Sequence, residues 1–367
     1  MKIGFEETPA APAGTYSRHL AELLAEYAPE HEYIVDGARY KELDLYHGFR
    51  PGLPLPLLLR LYRRALRSAS RLITVNRDAR EELSERLRID PGRIEVVMPL
   101  AARVPHEPPA GAQLEAVRRK YMLPAEFILM LGTVEERHNH KVLFEAVGSL
   151  GERERAIRAE GLGAAQREAV AADPELPGLA AGRARGWGAA TAAGRGGIAT
   201  GMRGETPADA AVPPAASSAE RVGIVVCGRR TVYADSLLEY ARGRHMASRV
   251  DFIYELEPDD LPALFRLAHA FVYLPDAGIE ASIVPVVEAM RAGVPMVLSD
   301  TQLNREAAGD AAAYVRPEAA GEVAAALENV LSDANFRREM KARERRRAEL
   351  FSEYAVARRL IDIYSSL

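Results

Sequence analysis

The chain is short of the groups that staple or ligate. It holds one cysteine, Cys227, so no disulfide can close within it. The setting Ile224-Val225-Val226-Cys227-Gly228 reads as a buried strand thiol rather than a nucleophile. No apolar run approaches the ~20 residues of a membrane span. No leader is evident, because Met1-Lys2-Ile3-Gly4-Phe5 reads as a first strand, and the expected location is the cytoplasm. No G-x-G-x-x-G occurs, which argues against a dinucleotide-binding enzyme such as an epimerase. No carboxylate–histidine framework at ligand spacing supports a metal, and no cofactor is expected. Lysine is scarce beside arginine, which fits a GC-rich genome better than a function. The net charge of −4 gives no reason to expect nucleic acid.

What is present describes a globular α/β protein. The 367 residues suffice for two domains, with 48% hydrophobic and 27% charged residues. Strands are expected at residues 2–5, 31–35, 43–48, 72–75, 94–100, 127–132, 222–228, 250–253 and 270–275. Helices are expected between many of them, as at 16–27, 78–87 and 235–242. That alternation predicts parallel sheets. Thr8 to Gly14 reads as a small-residue loop after the first strand. Residues 57–71 place Arg60, Arg63, Arg64, Arg67 and Arg71 on one helical face. Such a face suits either solvent or an anionic membrane surface. Pro105 to Gly111 has linker composition. From 151 to 219 Gly, Ala, Arg and Pro dominate, lysine is absent, and Trp187 is the sole aromatic. That stretch reads as a disordered insertion, because it buries too little apolar area to offset chain entropy. The arginine-rich part of 336–364 reads as a solvated helical face.

The chemistry gathers at Gly278-Ile279-Glu280-Ala281-Ser282-Ile283-Val284-Pro285-Val286-Val287-Glu288-Ala289-Met290. Proline suits the first helical position, so a helix is expected from Pro285 to about Arg291, stopped by Gly293 and Pro295. The free N–H groups of Ser282, Ile283 and Val284 then form an anion site at its start. Glu280 stands before that helix and Glu288 one turn inside it. A phosphate between two hydroxyl-accepting carboxylates matches the layout of a sugar nucleotide.

This stretch resembles the E-x7-E motif of the family 4 retaining glycosyltransferases, which have the GT-B fold. The runs from Met296 to Thr301 and from Glu306 to Ala312 resemble that family's next strand, loop and helix. Gly132-Thr133-Val134-Glu135-Glu136-Arg137-His138-Asn139 resembles its Gly-Thr-x-Glu-x-Arg-Lys-Asn turn, with His138 where lysine is expected. The competing reading of His138 and His140 is a pair of exposed loop histidines. The resemblance implies two Rossmann-like domains facing a cleft. The first is expected at 1–104, a linker at 105–122, the donor domain at 123–350 with the insertion at 151–219, and a C-terminal helix at 351–367.

The resemblance also implies roles. Glu280, Arg137 and His138 are the catalytic candidates, and Gly14, Gly132, Arg229, Ser282, Ile283, Val284 and Glu288 the donor-binding ones. His47 is the acceptor-side candidate. Two departures stand out. The family's His-Asp dipeptide is absent, so the first domain reads as shortened. Ala281 and Ile283 stand where the family often has glycines or other small residues, and a β-branched residue disfavours positive φ. The implied activity is transfer of a mannose-type or glucose-type hexose from a nucleoside diphosphate sugar. The implied acceptor is a glycan or a lipid-linked glycan in cell-surface polysaccharide biosynthesis, with residues 57–71 touching the inner membrane face. The alternative is a weakly active sugar-nucleotide-binding subunit of a biosynthetic complex.

Overall fold

A computed structural model of the chain describes residues 1–5, 13–35, 45–47, 67, 69–74, 76–97, 109–152, 222–276 and 283–367. The first part of the chain builds β1 (Lys2–Phe5), α1 (Ala13–Tyr27), β2 (Glu32–Val35) and β3 (Leu45–His47). These strands are parallel, in the order β2-β1-β3. On α1, Leu20, Ala21, Leu23 and Leu24 are buried, a helical spacing that turns one face to the sheet. β4 (Leu72–Thr74) and β5 (Ile94–Val96) form a second parallel pair. They are joined through α2 (Arg77–Leu87). The Asn76 side chain caps α2 by accepting from the Ala79 N–H at 2.7 Å, and Arg88, with φ 55°, ends it.

The second part is one six-stranded parallel sheet. Its strands are β6 (Phe127–Leu131), β7 (Gly223–Cys227), β8 (Val250–Ile253), β9 (Ala270–Tyr273), β10 (Met296–Ser299) and β11 (Ala313–Val315). Their order is β11-β10-β9-β6-β7-β8, the doubly wound arrangement. Both faces are covered, which is why these strands are continuously apolar rather than alternating. Phe127 and Leu129 enter one core, with Leu264 of α6 (Leu261–Leu267) and Val287 of α7 (Val284–Ala292). Ile128 and Met130 enter the other, with Leu143 and Val147 from a helix over 140–152, labelled α4, and Leu237 of α5 (Val232–Gly243). α8 (Gln302–Ala308), α9 (Ala320–Ser332) and α10 (Ala334–Ala348) complete the two layers.

The chain then returns to its beginning. α11 (Glu353–Ser365) buries Val356, Ala357, Leu360, Ile363 and Tyr364 in the same core as Ile3, Phe5, Leu20 and Leu24. Arg359 pairs with Glu95 of β5 at 2.7 Å. A further link joins the two parts at α8, where Glu306 accepts from the Arg77 backbone N–H at 3.1 Å.

Several elements differ from the sequence expectations. Within the stretch expected as a linker, 105–122, residues Gly111–Lys120 form α3, which buries Val117 in a core of the second part beside α6. Gly14 lies inside the first turn of α1 rather than in the loop before it. Most of the arginine-rich stretch 57–71 and nearly all of the expected insertion, 153–219, lie outside the described residues. Of that arginine face, Arg67 is committed to structure, donating to the Leu87 carbonyl at the end of α2 at 2.9 Å.

Candidate functional site

In a doubly wound sheet, ligands bind outside the C-terminal strand ends where the strand order reverses. Here that point lies between β6 and β9, and the loops leaving both strands are tied together. The turn after β6 runs through Gly132 and a short 3-10 turn, Glu136–His138, to Asn139. Gly132 has φ 139°, which needs a glycine, and Asn139 sits in the left-handed region at φ 55°. The Asn139 amide donates to the Leu274 carbonyl at 3.0 Å and to the Asp276 carboxylate at 2.6 Å. The Asp276 N–H donates to the Arg137 carbonyl at 3.0 Å. Arg137 is therefore fixed at its backbone against the loop that leads to α7. Its guanidinium is exposed and pairs with Glu135.

β7 closes the other side. Gly228 comes so near the β6 turn that a Cβ there would lie 1.7 Å from the Gly132 carbonyl oxygen, so no larger residue fits. The Gly132 N–H donates to the Cys227 carbonyl at 3.0 Å, and the Val134 N–H to the Arg229 carbonyl at 3.2 Å. The Arg229 side chain is exposed beside this turn, and Cys227 is buried as expected.

Neither histidine of the turn is a plain exposed loop residue. His138 is half-buried, with Nδ1 2.7 Å from the Thr133 carbonyl oxygen. Burial lowers its pKa most, with Arg137 acting in the same direction, while the Thr133 carbonyl, Glu135 and Asp276 oppose. His140 is buried at the start of α4, and burial followed by the neighbouring His138 lowers its pKa to about 4. It is neutral at physiological pH.

α7 follows the loop after β9. Pro285 stands in its first turn and Gly293, at φ 67°, ends it, as the sequence predicts. Ile283 precedes the helix with φ −76° and packs its side chain into the core. Positive φ is not demanded there, so the β-branched residue carries no strain. Glu288 is fully buried on α7. Glu280 and Ser282 lie outside the described residues, while Val284 is the first residue of α7. His47 ends β3 at the register of Phe5, at the C-terminal edge of the first sheet, with Gly14 after β1 on the same side.

Sequence reasoning passed over Asn139 and Asp276 as ties between the two loops. The signal for Asn139 was its type, since asparagine tolerates left-handed backbone. Glu306 was also passed over. It lines a cavity of about 660 Å3 at the seam between the two parts, with Arg77, Gln302, Arg305, Gly309 and Arg347. Among the described residues no group of three or more His, Cys, Asp and Glu is placed to hold a metal ion. None of their helices is long and apolar enough to cross a membrane.

Comparison with known proteins extends these observations. The fold resembles the structure of Anabaena Alr3699/HepE in complex with UDP, at TM-score 0.65, 12% identity and 100% of both chains. It also resembles a glycosyltransferase from Rickettsia africae ESF-5, at TM-score 0.64 and 12% identity, over 100% of this chain and 98% of the other. The architecture is thus the GT-B type, two α/β units built on parallel sheets. In sequence, the chain is similar to the O-antigen chain mannosyltransferase RfbU of Salmonella typhimurium, 33% identical over 108 residues. That match covers 29% of this chain and 30% of the relative, so the similarity spans under a third of either protein. Residues 211–347, which hold β7 to β11 together with Glu288, match the family of glycosyl transferases group 1.

Proposed function

We propose that the protein is a retaining, metal-independent hexosyltransferase. In this reading it moves a mannose-type or glucose-type sugar from a nucleoside diphosphate to a glycan or lipid-linked acceptor in cell-surface polysaccharide biosynthesis. The bond from the anomeric carbon to the diphosphate oxygen breaks and its electron pair leaves with the diphosphate. The acceptor hydroxyl oxygen bonds to that carbon on the same face and releases its proton. Glu288 accepts hydrogen bonds from the ribose hydroxyls, and Glu280 holds the donor sugar. Arg137, His138 and Arg229, with the backbone of Ser282 to Val284 and the Gly132 turn, face the departing diphosphate. Charge that develops on a leaving group is where preorganised donors lower a barrier most. Gly14 and His47 face the cleft from the acceptor side. The enzyme works on the cytoplasmic side, and residues 57–71 touch the membrane where the acceptor is lipid-linked.

The observation that carries this reading is the tie between the Arg137 turn and the loop that leads to α7, through Asn139 and Asp276. It brings a cationic turn to the approach of the helix that holds a fully buried glutamate, at the point where such sheets bind nucleotides. Titration calorimetry with GDP-mannose, UDP-glucose and ADP-glucose tests it, followed by a radiolabelled transfer assay with soluble and lipid-linked acceptors. One donor should bind, and Glu288→Ala should weaken it by about 1.5–3 kcal/mol, the cost of losing a charged acceptor. Binding without transfer to any acceptor would favour a sugar-nucleotide-binding subunit instead. No binding at all would overturn the reading.

A further inference from the structure

We propose that donor binding at this site is proton-coupled: His138 takes up a proton when the diphosphate arrives. The inference rests on the donor-site reading above and deepens it. Its basis is the direction of one hydrogen bond. Nδ1 of His138 lies 2.7 Å from the Thr133 carbonyl oxygen. A carbonyl only accepts, so Nδ1 carries the hydrogen. In the neutral ring Nε2 then holds a lone pair and no hydrogen. A lone pair turned toward a diphosphate repels it. Only the imidazolium donates from both nitrogens, so only that form does for an anion what a lysine would do without titrating.

The surroundings hold the ring in this orientation. It lies over the Gly132 turn, where an added Cβ would be 3.9 Å from its Cε1. Tyr273 of β9 lies 6.3 Å away and His140 of α4 6.0 Å away, nearly perpendicular. The charged groups that face the ring are Arg137 and Glu135 from its own turn and Asp276 from the loop after β9. Arg137 disfavours the imidazolium, Glu135 and Asp276 favour it, and burial outweighs them toward the neutral ring. The free site therefore waits neutral at physiological pH. His140, held near 4, stays neutral as well and neither supplies nor takes the proton. An arriving diphosphate adds the negative charge that tips His138 to the cationic form. By linkage, affinity then falls as pH rises, by up to about tenfold per pH unit where one full proton is coupled.

The test is calorimetry of the intact chain with GDP-mannose and UDP-glucose at about pH 7.5, in HEPES and in Tris, whose ionisation heats differ. Neither ligand titrates in this range. The difference in heat counts the protons exchanged, and uptake of about half to one proton per donor is expected. Affinity should fall roughly three- to tenfold per unit over about pH 6.5–8. His138→Lys should bind with no uptake and a flat profile. His138→Gln should bind weakly and also without pH dependence. Thermal melts matching the parent protein show that either variant is folded. Binding without proton uptake overturns the inference and leaves the donor-site reading standing, as does uptake that persists in His138→Lys. Failure of these two donors and of ADP-glucose to bind removes the two together.

Discussion

The two halves of the molecule solve the same packing problem differently. The second half covers both faces of a six-stranded sheet with its own helices, and Phe127, Leu129, Ile128 and Met130 are all buried. The other half, among the described residues, has a three-stranded sheet and a two-stranded pair, and it borrows α11 to finish its core. Buried polar groups divide the same way. Thr74 is the one in the first half, whereas His140, Glu288, Ser299, Asn304 and Glu344 all lie in the second, among the described residues. The larger core accommodates the buried ionisable groups, and the proposed donor site lies beside it.

The sharpest way to break the second half alone is Gly228→Ala. A Cβ 1.7 Å from backbone oxygen cannot be accommodated by a side-chain shift, so β6 and β7 must part at their ends. The expected loss is more than about 4 kcal/mol by denaturant unfolding, with faster amide exchange in β6 and β7. Wild-type stability would show that these ends separate freely. The complementary change is Leu360→Ala, which empties a buried site on α11. It should cost about 2–5 kcal/mol and speed exchange in β1 and α1, while β6 stays protected. Equal acceleration in both halves would mean that they unfold as one unit.

Acid sharpens the contrast further. His140 is held near 4 when folded, against an ordinary value near 6.5. The unfolded chain therefore binds the proton more tightly. The stability from a neutral buried His140 is present above about pH 6.5 and is lost as pH falls toward 4, on the order of 3 kcal/mol in all. His140→Gln should flatten that limb of the stability curve, and an unchanged curve would exclude this source. Glu344 has the opposite sign. Burial raises its pKa well above the usual value, and neither oxygen has a hydrogen-bond partner among the described residues. The folded state therefore holds the proton, and stability falls as pH rises above 4.5. Glu344→Gln should remove that fall and gain about 1–2 kcal/mol at neutral pH. No gain would mean that the amide is as poorly accommodated as the carboxyl.

The sheet was legible where chemistry and pattern coincide. β6, β7 and β9 are continuous apolar runs because both faces are buried, and α7 announces itself through Pro285 and Gly293. α3 was hidden because Pro108-Pro109-Ala110-Gly111 resembles a linker, and only contact with α6 reveals why Val117 is apolar. Glu344 was masked by the arginines around it, which make α10 read as solvated. The same limit applies at the site. Residue types singled out Arg137 and Glu288, but neither the Asn139–Asp276 tie nor the burial of His140 follows from spacing. Both depend on how β6 and β9 are placed side by side.

The return of α11 has a consequence for biosynthesis. A ribosome delivers β1 and α1 first, yet the helix that covers Ile3, Leu20 and Leu24 is made more than 300 residues later. Until then this apolar surface lacks the cover that α11 gives it, while the six-stranded sheet can already close on itself. Domains that emerge early usually fold early. Here the half made first is the half finished last, and the α11-facing surface waits through most of the chain's synthesis for its partner.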